Sequence, residues 1–276
     1  MHRRYKFLRK TAAAVILIIF ISSTSINAYA ADGSGFSRGL VLDAARTYYT
    51  VSEIKNYVNM LSKYDDSYLQ MHFTDDERVG IECKYLGQNT RGNNNKRYLT
   101  CKEVGQIMEY CKRKKVEFVP EIDVPSHMGG FIALASKKFG KKYAKTIAPG
   151  TGDESDQVDF TTTRGRTFIF NLYREYAKLF KGCRHFSIGF DEYTYRIDER
   201  AGFANQLNSY LRSKGFTVRM YNDSISLQDV NRLNKKIEIY YWEYPGAEYA
   251  DFNDLTNAGF HVINGNSYYL YFVPCK

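Results

Sequence analysis

The sequence predicts an α/β fold, a (β/α)8 barrel of the TIM type that is C-terminally truncated after its seventh strand. From residue 38 onward, short apolar stretches typical of strands alternate with stretches of helical periodicity. Such alternation is typical of a parallel sheet covered by helices. Polar residues follow most of these strands, which favours a barrel with its active site at one rim over an open sheet with a single binding crevice.

Turn and capping signals support the individual elements. Thr50 with Glu53, and Thr100 with Glu103, form capping boxes that begin two of the helices, and Gly215 is a helix-ending residue. The predicted strands in chain order are 40–42, 68–73, 116–122, 185–190, 216–221, 237–242 and 260–264. The predicted helices are 51–61, 101–111, 168–180 and one that ends near residue 214.

The first thirty residues have the pattern of a secretory signal peptide. Basic residues between Arg3 and Lys10 precede an apolar run, 12–21, that is short for a membrane span, and Ala28-Tyr29-Ala30 fits a cleavage site. We therefore divide the chain into a signal peptide, 1–30, and an incomplete catalytic barrel, 31–276. The expectation is a secreted or cell-surface protein without stable membrane insertion after cleavage. The alternative is an uncleaved N-terminal anchor.

The net charge gives little indication of a nucleic-acid partner. The chain has 39 Lys and Arg against 30 Asp and Glu, but residues 1–30 hold five of these cations and no acid. The run Lys112–Lys115 suits the end of a helix, where cations are favoured by the helix dipole. It is isolated in the sequence, which disfavours a polyanion-binding patch. We predict no nucleic-acid partner.

No cofactor or metal is indicated by spacing. The five cysteines are scattered without a CxxC pair. Glu121, Asp123 and His127, together with His72, resemble a set of metal ligands, but no HxH pair supports this interpretation. A metal-dependent barrel hydrolase that cleaves an amide or ester remains an alternative.

The neighbouring acids Asp191 and Glu192 are the strongest sign of chemistry. They follow the apolar stretch 185–190, where the alternation of a regular strand relaxes and both side chains can turn into one cleft. Two carboxylates in one cleft can divide their roles, because one stays ionised while the other has a raised pKa and carries a proton. A pair of carboxyl groups with these two roles is what the cleavage of a glycosidic bond requires.

Several motifs, in order along the chain, resemble family 20 glycoside hydrolases, the β-N-acetylhexosaminidases. The likeness covers about residues 37–274, and the last two motifs resemble the biofilm-degrading members most. The motifs are Arg38–Arg46, Met71–Asp76, Val119–His127, Phe186–Glu192, Arg219–Asp223 and Asn266–Tyr271.

The resemblance implies a retaining, substrate-assisted mechanism, which is an exception to the scheme with a carboxylate nucleophile. The 2-acetamido oxygen of the sugar attacks its own anomeric carbon and forms an oxazolinium ion. Glu192 protonates the leaving oxygen and later activates water. Asp191 stays ionised and holds the acetamido N–H, and Tyr271 donates a hydrogen bond to the acetamido oxygen. No cofactor is implied.

The resemblance also implies a set of substrate-binding residues. Arg46 binds sugar hydroxyls through the N–H donors of its planar guanidinium group. Tyr221 and Trp242 line a pocket for the acetamido methyl group. Asp75 and His127, with Asp123, support the acids through hydrogen bonds. The plainer alternatives are that Arg46 pairs with Asp43, that Trp242 is a core residue, and that Tyr271 is one aromatic among many.

The sequence departs from the family pattern at three points. Phe190 stands where a glycine is usual before the acids, Tyr221 replaces a usual tryptophan, and an eighth strand is not found before Lys276. The expected partner is a glycan that contains β-linked N-acetylglucosamine or N-acetylgalactosamine. The choice of sugar, the linkage and exo or endo action stay open. A non-catalytic sugar-binding remnant of the fold is the further alternative.

Overall fold

The computed structural model describes residues 16–18, 37–89, 98–194, 197–243, 246 and 248–272. The strands in chain order are β1 Ile16–Ile18, β2 Arg38–Asp43, β3 Ser67–His72, β4 Glu117–Glu121, β5 His185–Ser187, β6 Thr217–Tyr221, β7 Glu238–Tyr241, β8 Val262–Asn264 and β9 Tyr271–Phe272. The helices are α1 Val51–Leu61, α2 Cys101–Arg113, α3 Gly129–Phe139, α4 Lys141–Ile147, α5 Thr163–Leu179, α6 Arg200–Arg212, α7 Leu227–Arg232, α8 Phe252–Asn257 and α9 Ser267–Leu270.

Strands β2 to β8 lie side by side in sequence order, and every neighbouring pair among them is parallel. These seven strands form a curled half-barrel with alternating helices, which confirms the predicted fold class. No further parallel strand pairs with β8 within the part of the chain that the structure describes. All carboxyl ends of the seven strands therefore point to one rim, which we call the catalytic rim.

Strand β1 pairs antiparallel with β2 on one side and with β9 on the other. The rest of the predicted signal peptide, and Cys275, lie outside the described residues, so the cleavage of the leader stays a prediction. Among the described helices, none combines the length and the apolar character that crossing a bilayer requires.

Capping boxes begin four of the helices in the described part of the chain. The predicted boxes at Thr50 and Thr100 are both present, with the Glu carboxylate three residues on accepting from the cap backbone N–H. Two more boxes begin α7 at Ser226 and α8 at Asp251. Each box satisfies backbone donors that a helix start otherwise leaves unpaired. These caps fix where the helices begin and hence how the loops of the catalytic rim leave the strands.

Side chains alternate between two faces of the curled sheet. Leu40, Leu69 and Val218 point outward into the large apolar core beneath the helices, whereas Val41 and Val119 belong to a small inner cluster. This alternation is the two-residue period of a strand. The inner face is polar toward the catalytic rim, because tyrosine and acidic side chains continue the strands there.

A buried charged network fills the inner face at the opposite end. His185 contacts Glu117, and its Nε2 lies 3.3 Å from an oxygen of Glu238. The other Glu238 oxygen accepts from Arg219 Nε at 2.8 Å, and the Arg219 guanidinium lies over the Tyr68 ring. Burial alone would raise the pKa of Glu238, but His185 and Arg219 hold it well below its ordinary range. Each buried charge thus has a partner of opposite sign, as burial requires.

Candidate active site

The loop after β5 turns two acids toward one hollow. Gly189, Phe190 and Glu192 have φ values of 66°, 70° and 49°, in the left-handed region that non-glycine residues rarely adopt. A Cβ at Gly189 would lie 1.9 Å from Asp123 Oδ1, so only glycine fits there. Because regular strand geometry is broken here, Asp191 and its neighbour Glu192 do not point to opposite faces. Such conformations are costly and concentrate at functional sites.

Phe190 occupies its unusual position without blocking the cleft. Its side chain is fully buried, and its ring lies near those of Tyr193 and Phe203. Its backbone N–H donates to Asp123 Oδ1 at 3.0 Å. The core behind the loop therefore accommodates the phenylalanine ring.

His127 joins the two acids. Its Nε2 lies 3.5 Å from Asp191 Oδ2 and 3.3 Å from Glu192 Oε2, while its Nδ1 lies 3.3 Å from Asp76 Oδ2. Burial alone would lower the pKa of His127, but the charges of Asp191 and Asp75 outweigh it and raise that pKa well above 6.5. His127 is thus a cation enclosed by carboxylates, and it is placed to exchange a proton with Glu192.

The pKa values of the two acids shift in opposite directions. The hydrogen bond from His127 lowers the pKa of Glu192, the more exposed acid with 57% of its side chain accessible. Burial raises the pKa of Asp191, although His127 and Asp123 act against this. The expectation that the proton-carrying acid has a raised pKa does not hold for Glu192 in the free site, because His127 holds the proton there.

Asp123 stabilises Asp191 from the buried side of the acid loop. It is fully buried, and burial together with the charge of Asp191 raises the pKa of Asp123 well above 3.8. A protonated Asp123 can donate a hydrogen bond to Asp191, and this interaction helps Asp191 to remain ionised. Asp191 also has its backbone carbonyl bound by the hydroxyl of Ser126.

Arg46 is held between Asp43, which ends β2, and Asp75, which follows β3. Its Nη1 donates to Asp43 at 2.8 Å, and its Nη2 lies 2.6 Å from Asp75 Oδ2. His72 Nε2 lies 2.9 Å from the same Asp75 oxygen and fixes that carboxylate. The predicted pair with Asp43 is therefore present, and one third of the Arg46 side chain still faces the cleft. The guanidinium is oriented rigidly at the rim, as a binding group must be.

An aromatic wall faces the acids. The rings of Trp242 and Tyr221 have centroids 6.1 Å apart, and those of Trp242 and Tyr271 are 5.8 Å apart. Tyr221 is nearly buried, and its hydroxyl donates to Glu121 at 3.2 Å. Burial, followed by the charges of Asp191 and Glu121, raises the pKa of Tyr271 far above its ordinary value. The Tyr271 hydroxyl thus stays protonated and able to donate, and 37% of this residue is exposed.

Asp223 links the wall to the acid loop, and sequence reasoning did not assign it to the site. Its Oδ1 accepts from Trp242 Nε1 at 3.0 Å, and its Oδ2 accepts from the backbone N–H of Glu192 at 2.8 Å. Burial and the charge of Asp191 raise the pKa of Asp223 to about 8. Asp76, the partner of His127, was missed as well. Both follow strands in the quoted motifs, but the spacing alone does not show which carboxylate faces which partner.

A cavity of about 600 Å³ lies beside Asp76 and Glu77, and Asp191, Glu192 and Trp242 are not among the residues that line it. Helices α3 and α4 and the segment 148–156 wall it. Burial and the charge of Asp76 raise the pKa of Asp156, in this wall, to about 7. The cavity therefore adjoins the candidate site at Asp76 and is not formed by it.

Among the residues that the structure describes, two triads of side chains have ligand atoms within 4.8 Å of one another and could hold a metal ion: Asp75, Asp76 and His127, and Asp123, His127 and Asp191. One nitrogen and two carboxylates would suit a divalent cation. The metal-dependent alternative therefore has a geometric basis and needs a direct test.

A curled parallel barrel with neighbouring carboxylates and an aromatic wall at its carboxyl rim defines the class of barrel glycoside hydrolases. All eight residues predicted for the site lie at this rim. They are Arg46, Asp75, His127, Asp191, Glu192, Tyr221, Trp242 and Tyr271.

Comparison with known proteins agrees with this class. The family model "Glycosyl hydrolase family 20, catalytic domain" matches residues 36–200. The chain is therefore a member of glycosyl hydrolase family 20. The crystal structure of dispersin B superposes with a TM-score of 0.78 at 31% identity, over 83% of this chain and 74% of that one. The β-N-acetylhexosaminidase structure from Bacteroides fragilis shares the fold, with a TM-score of 0.65 at 21% identity, over 84% of this chain and 50% of that one.

Curated relatives are longer than this chain. The β-N-acetylhexosaminidase of Cellulomonas fimi is 25% identical over 244 residues, which cover 82% of this chain and 46% of that enzyme. The probable β-hexosaminidase of Arthroderma benhamiae is 25% identical over 167 residues, covering 56% of this chain and 26% of that protein. The chain thus spans less than half the length of either relative.

Proposed function

We propose that this chain is a secreted or cell-surface β-N-acetylhexosaminidase that cleaves β-linked N-acetylhexosamine from glycans with retention of configuration. The proposal rests mainly on one observation: His127 Nε2 lies within 3.5 Å of both Asp191 and Glu192. The names of the family and of the relatives support the substrate class. The leader pattern at residues 1–30 supports secretion.

The contacts support a division of roles. Asp191, held by Ser126 and Asp123, accepts from the acetamido N–H of the sugar and stabilises the positive charge that forms when the acetamido oxygen attacks the anomeric carbon. The bond to the leaving oxygen breaks as Glu192 delivers a proton to it. Water then attacks the anomeric carbon, the bond from that carbon to the acetamido oxygen breaks, and the water gives its proton to Glu192, which restores the enzyme.

His127 supplies the proton that Glu192 lacks in the free site. A sugar in the cleft removes water from Glu192, whose side chain is 57% exposed without it. Desolvation disfavours the carboxylate and moves the proton from His127 to Glu192. Asp76 then faces a neutral imidazole. This transfer reconciles the lowered pKa of Glu192 with its role as the general acid.

A matched pair of chromogenic substrates tests the proposal. The 4-nitrophenyl β-N-acetylglucosaminide should be hydrolysed, and the 4-nitrophenyl β-glucoside should not, because its 2-hydroxyl cannot replace the attacking acetamide. Proton NMR of the first product should show the β-anomer. Equal hydrolysis of both substrates would contradict substrate assistance.

Treatment with a chelator distinguishes the proposed glycosidase from the metal-dependent alternative. We expect hydrolysis of the N-acetylglucosaminide to be unchanged after treatment with a chelator. Loss of activity that zinc restores would instead favour a metal at His127 and its carboxylates.

The pH profile of kcat/KM should identify the proton shared by His127 and Glu192. The active form needs this proton and an ionised Asp191, so the basic limb lies above 6.5 and the acidic limb above 3.8. In His127→Gln the proton rests on Glu192 alone. A carboxyl group releases its proton at lower pH than the raised imidazole, so the basic limb should move down by about one pH unit or more.

The matched control for this profile is His261→Gln. His261 is exposed and lies at the opposite end of the barrel, near Glu238. Its profile should equal that of the unsubstituted protein. A basic limb that stays in place in His127→Gln would show that the shared proton is not the one that catalysis uses.

A further inference from the structure

The end of the barrel opposite the catalytic rim has a dense positive charge. Five segments lead into strands β3 to β7 at this end and contain twelve Lys or Arg against two Asp: 62–66, 112–116, 180–184, 212–216 and 232–237. All twelve cations are exposed. Parallel strands begin at one edge, so these segments are neighbours in space although they are far apart in the chain. We call them the basic rim.

Helix ends explain only part of the basic rim. Lys112 and Arg113 in the last turn of α2, and Arg212 in that of α6, complement the carbonyl end of a helix. Most of the cations lie beyond the last turns, where that effect has faded, as Lys181 and Lys236 do. Arg113 and Arg232 pair with Glu109 and Asp229, but neighbouring like charges repel one another, so the accumulation of cations as a whole costs folding free energy.

The two ends of the barrel have opposite charge. The segments after β3 and β5 carry ionised carboxylates of the candidate active site, among them Asp75, Asp76, Asp191 and Glu192, against the two cations Arg46 and His127. A polyanion is therefore repelled from the catalytic rim and attracted to the basic rim. Binding there would leave the cleft open for a glycan.

The composition of the basic rim indicates what it binds. Eight of its twelve cations are lysines, which act as point charges for phosphate rather than as geometric forks. Among the described residues of these segments, Tyr64 is the only large aromatic or apolar side chain that is exposed. This leaves little to insert into a bilayer or to stack on bases. We propose that the basic rim binds a linear phosphodiester polymer through its phosphates alone.

A labelled abasic phosphodiester oligomer, long enough to cross the rim, tests this by fluorescence anisotropy on the full chain. Binding should weaken steeply with salt. The triple variant K112Q/K181Q/K236Q removes one cation from each of three segments. We expect its affinity at low salt to fall about tenfold and its salt slope to drop by about 2, as three lost phosphate contacts predict.

The chain offers a matched control in K102Q/K137Q/K142Q, which has the same net charge as the test variant. Lys102 lies in the first turn of α2 and Lys112 in its last turn, and all three control lysines are exposed outside the basic rim. Control and parent should bind alike, and both variants should retain hydrolysis of the chromogenic substrate. Equal weakening in both variants, or no binding by the parent at low salt, would overturn the proposal.

Two further probes test whether the basic rim recognises the phosphates of a polymer in solution, and not nucleic-acid bases or a membrane surface. An oligothymidylate of equal length should bind as the abasic oligomer does, and tenfold tighter binding would indicate recognition of bases and overturn the proposal. Vesicles containing phosphatidylglycerol, at equal phosphate concentration, should bind more weakly. Tighter binding to the vesicles would assign the basic rim to a membrane surface instead.

Discussion

Glu192→Gln should reduce the turnover of an N-acetylhexosamine disaccharide by about 10⁴-fold, because glutamine cannot deliver a proton to the leaving oxygen. The loss should be smaller, about 10²-fold, for the 4-nitrophenyl substrate, whose leaving group needs less protonation. Glutamine preserves the shape of the side chain, and the backbone N–H of residue 192 can still donate to Asp223. Steady-state kinetics on both substrates measures this difference.

Glu199→Gln is the matched control, since Glu199 is an exposed acid in the segment that follows the same strand. Its kinetics should equal those of the parent chain. If the parent and Glu192→Gln turn over both substrates equally, or if neither does, the assignment of Glu192 as the acid of this chain is lost. The second outcome would favour a sugar-binding remnant.

Asp191→Asn should lower kcat by about 10²- to 10³-fold with a smaller change in KM. Asparagine can still accept from the acetamido N–H, but it has no charge to stabilise the oxazolinium ion. The loss should therefore appear mainly in the transition state, and the kcat and KM values on the chromogenic N-acetylglucosaminide separate the two effects.

Thermal unfolding distinguishes this loss from misfolding. Burial raises the pKa of Asp191, so its ionised form costs folding free energy at neutral pH, and the neutral asparagine should leave the melting temperature unchanged or higher. Asp198→Asn, an exposed neighbour in the same segment, provides the matched control for kinetics. A large rise in KM with unchanged kcat would show that Asp191 only binds substrate.

Local sequence signals predicted the fold and the rim that holds the site. The capping boxes at Thr50 and Thr100 and the seven apolar stretches identified the elements because each depends on a few neighbouring residues. The acids after the fourth of these strands were found for the same reason. The likeness of whole motifs to one family then indicated the chemistry, which spacing alone did not.

Partners across the rim could not be predicted in this way. Asp223 binds both Trp242 and the backbone of Glu192, and Asp76 faces His127, through contacts between residues 19 to 51 positions apart. The sequence also did not predict that the proton shared by His127 and Glu192 rests on His127 in the free site. That position depends on how many carboxylates surround His127 in three dimensions, and their summed field outweighs the cost of burial.

The sequence by itself determined a parallel α/β barrel, the order of its strands and the acids Asp191 and Glu192 at the end of one of them. Only the tertiary structure decided which groups exchange protons and how charge is divided between the two ends of the barrel. The run Lys112–Lys115 looks isolated in the chain, yet the start of every neighbouring strand brings further cations beside it. Hydrophobic periodicity is local, whereas electrostatic fields sum over all residues that folding brings together.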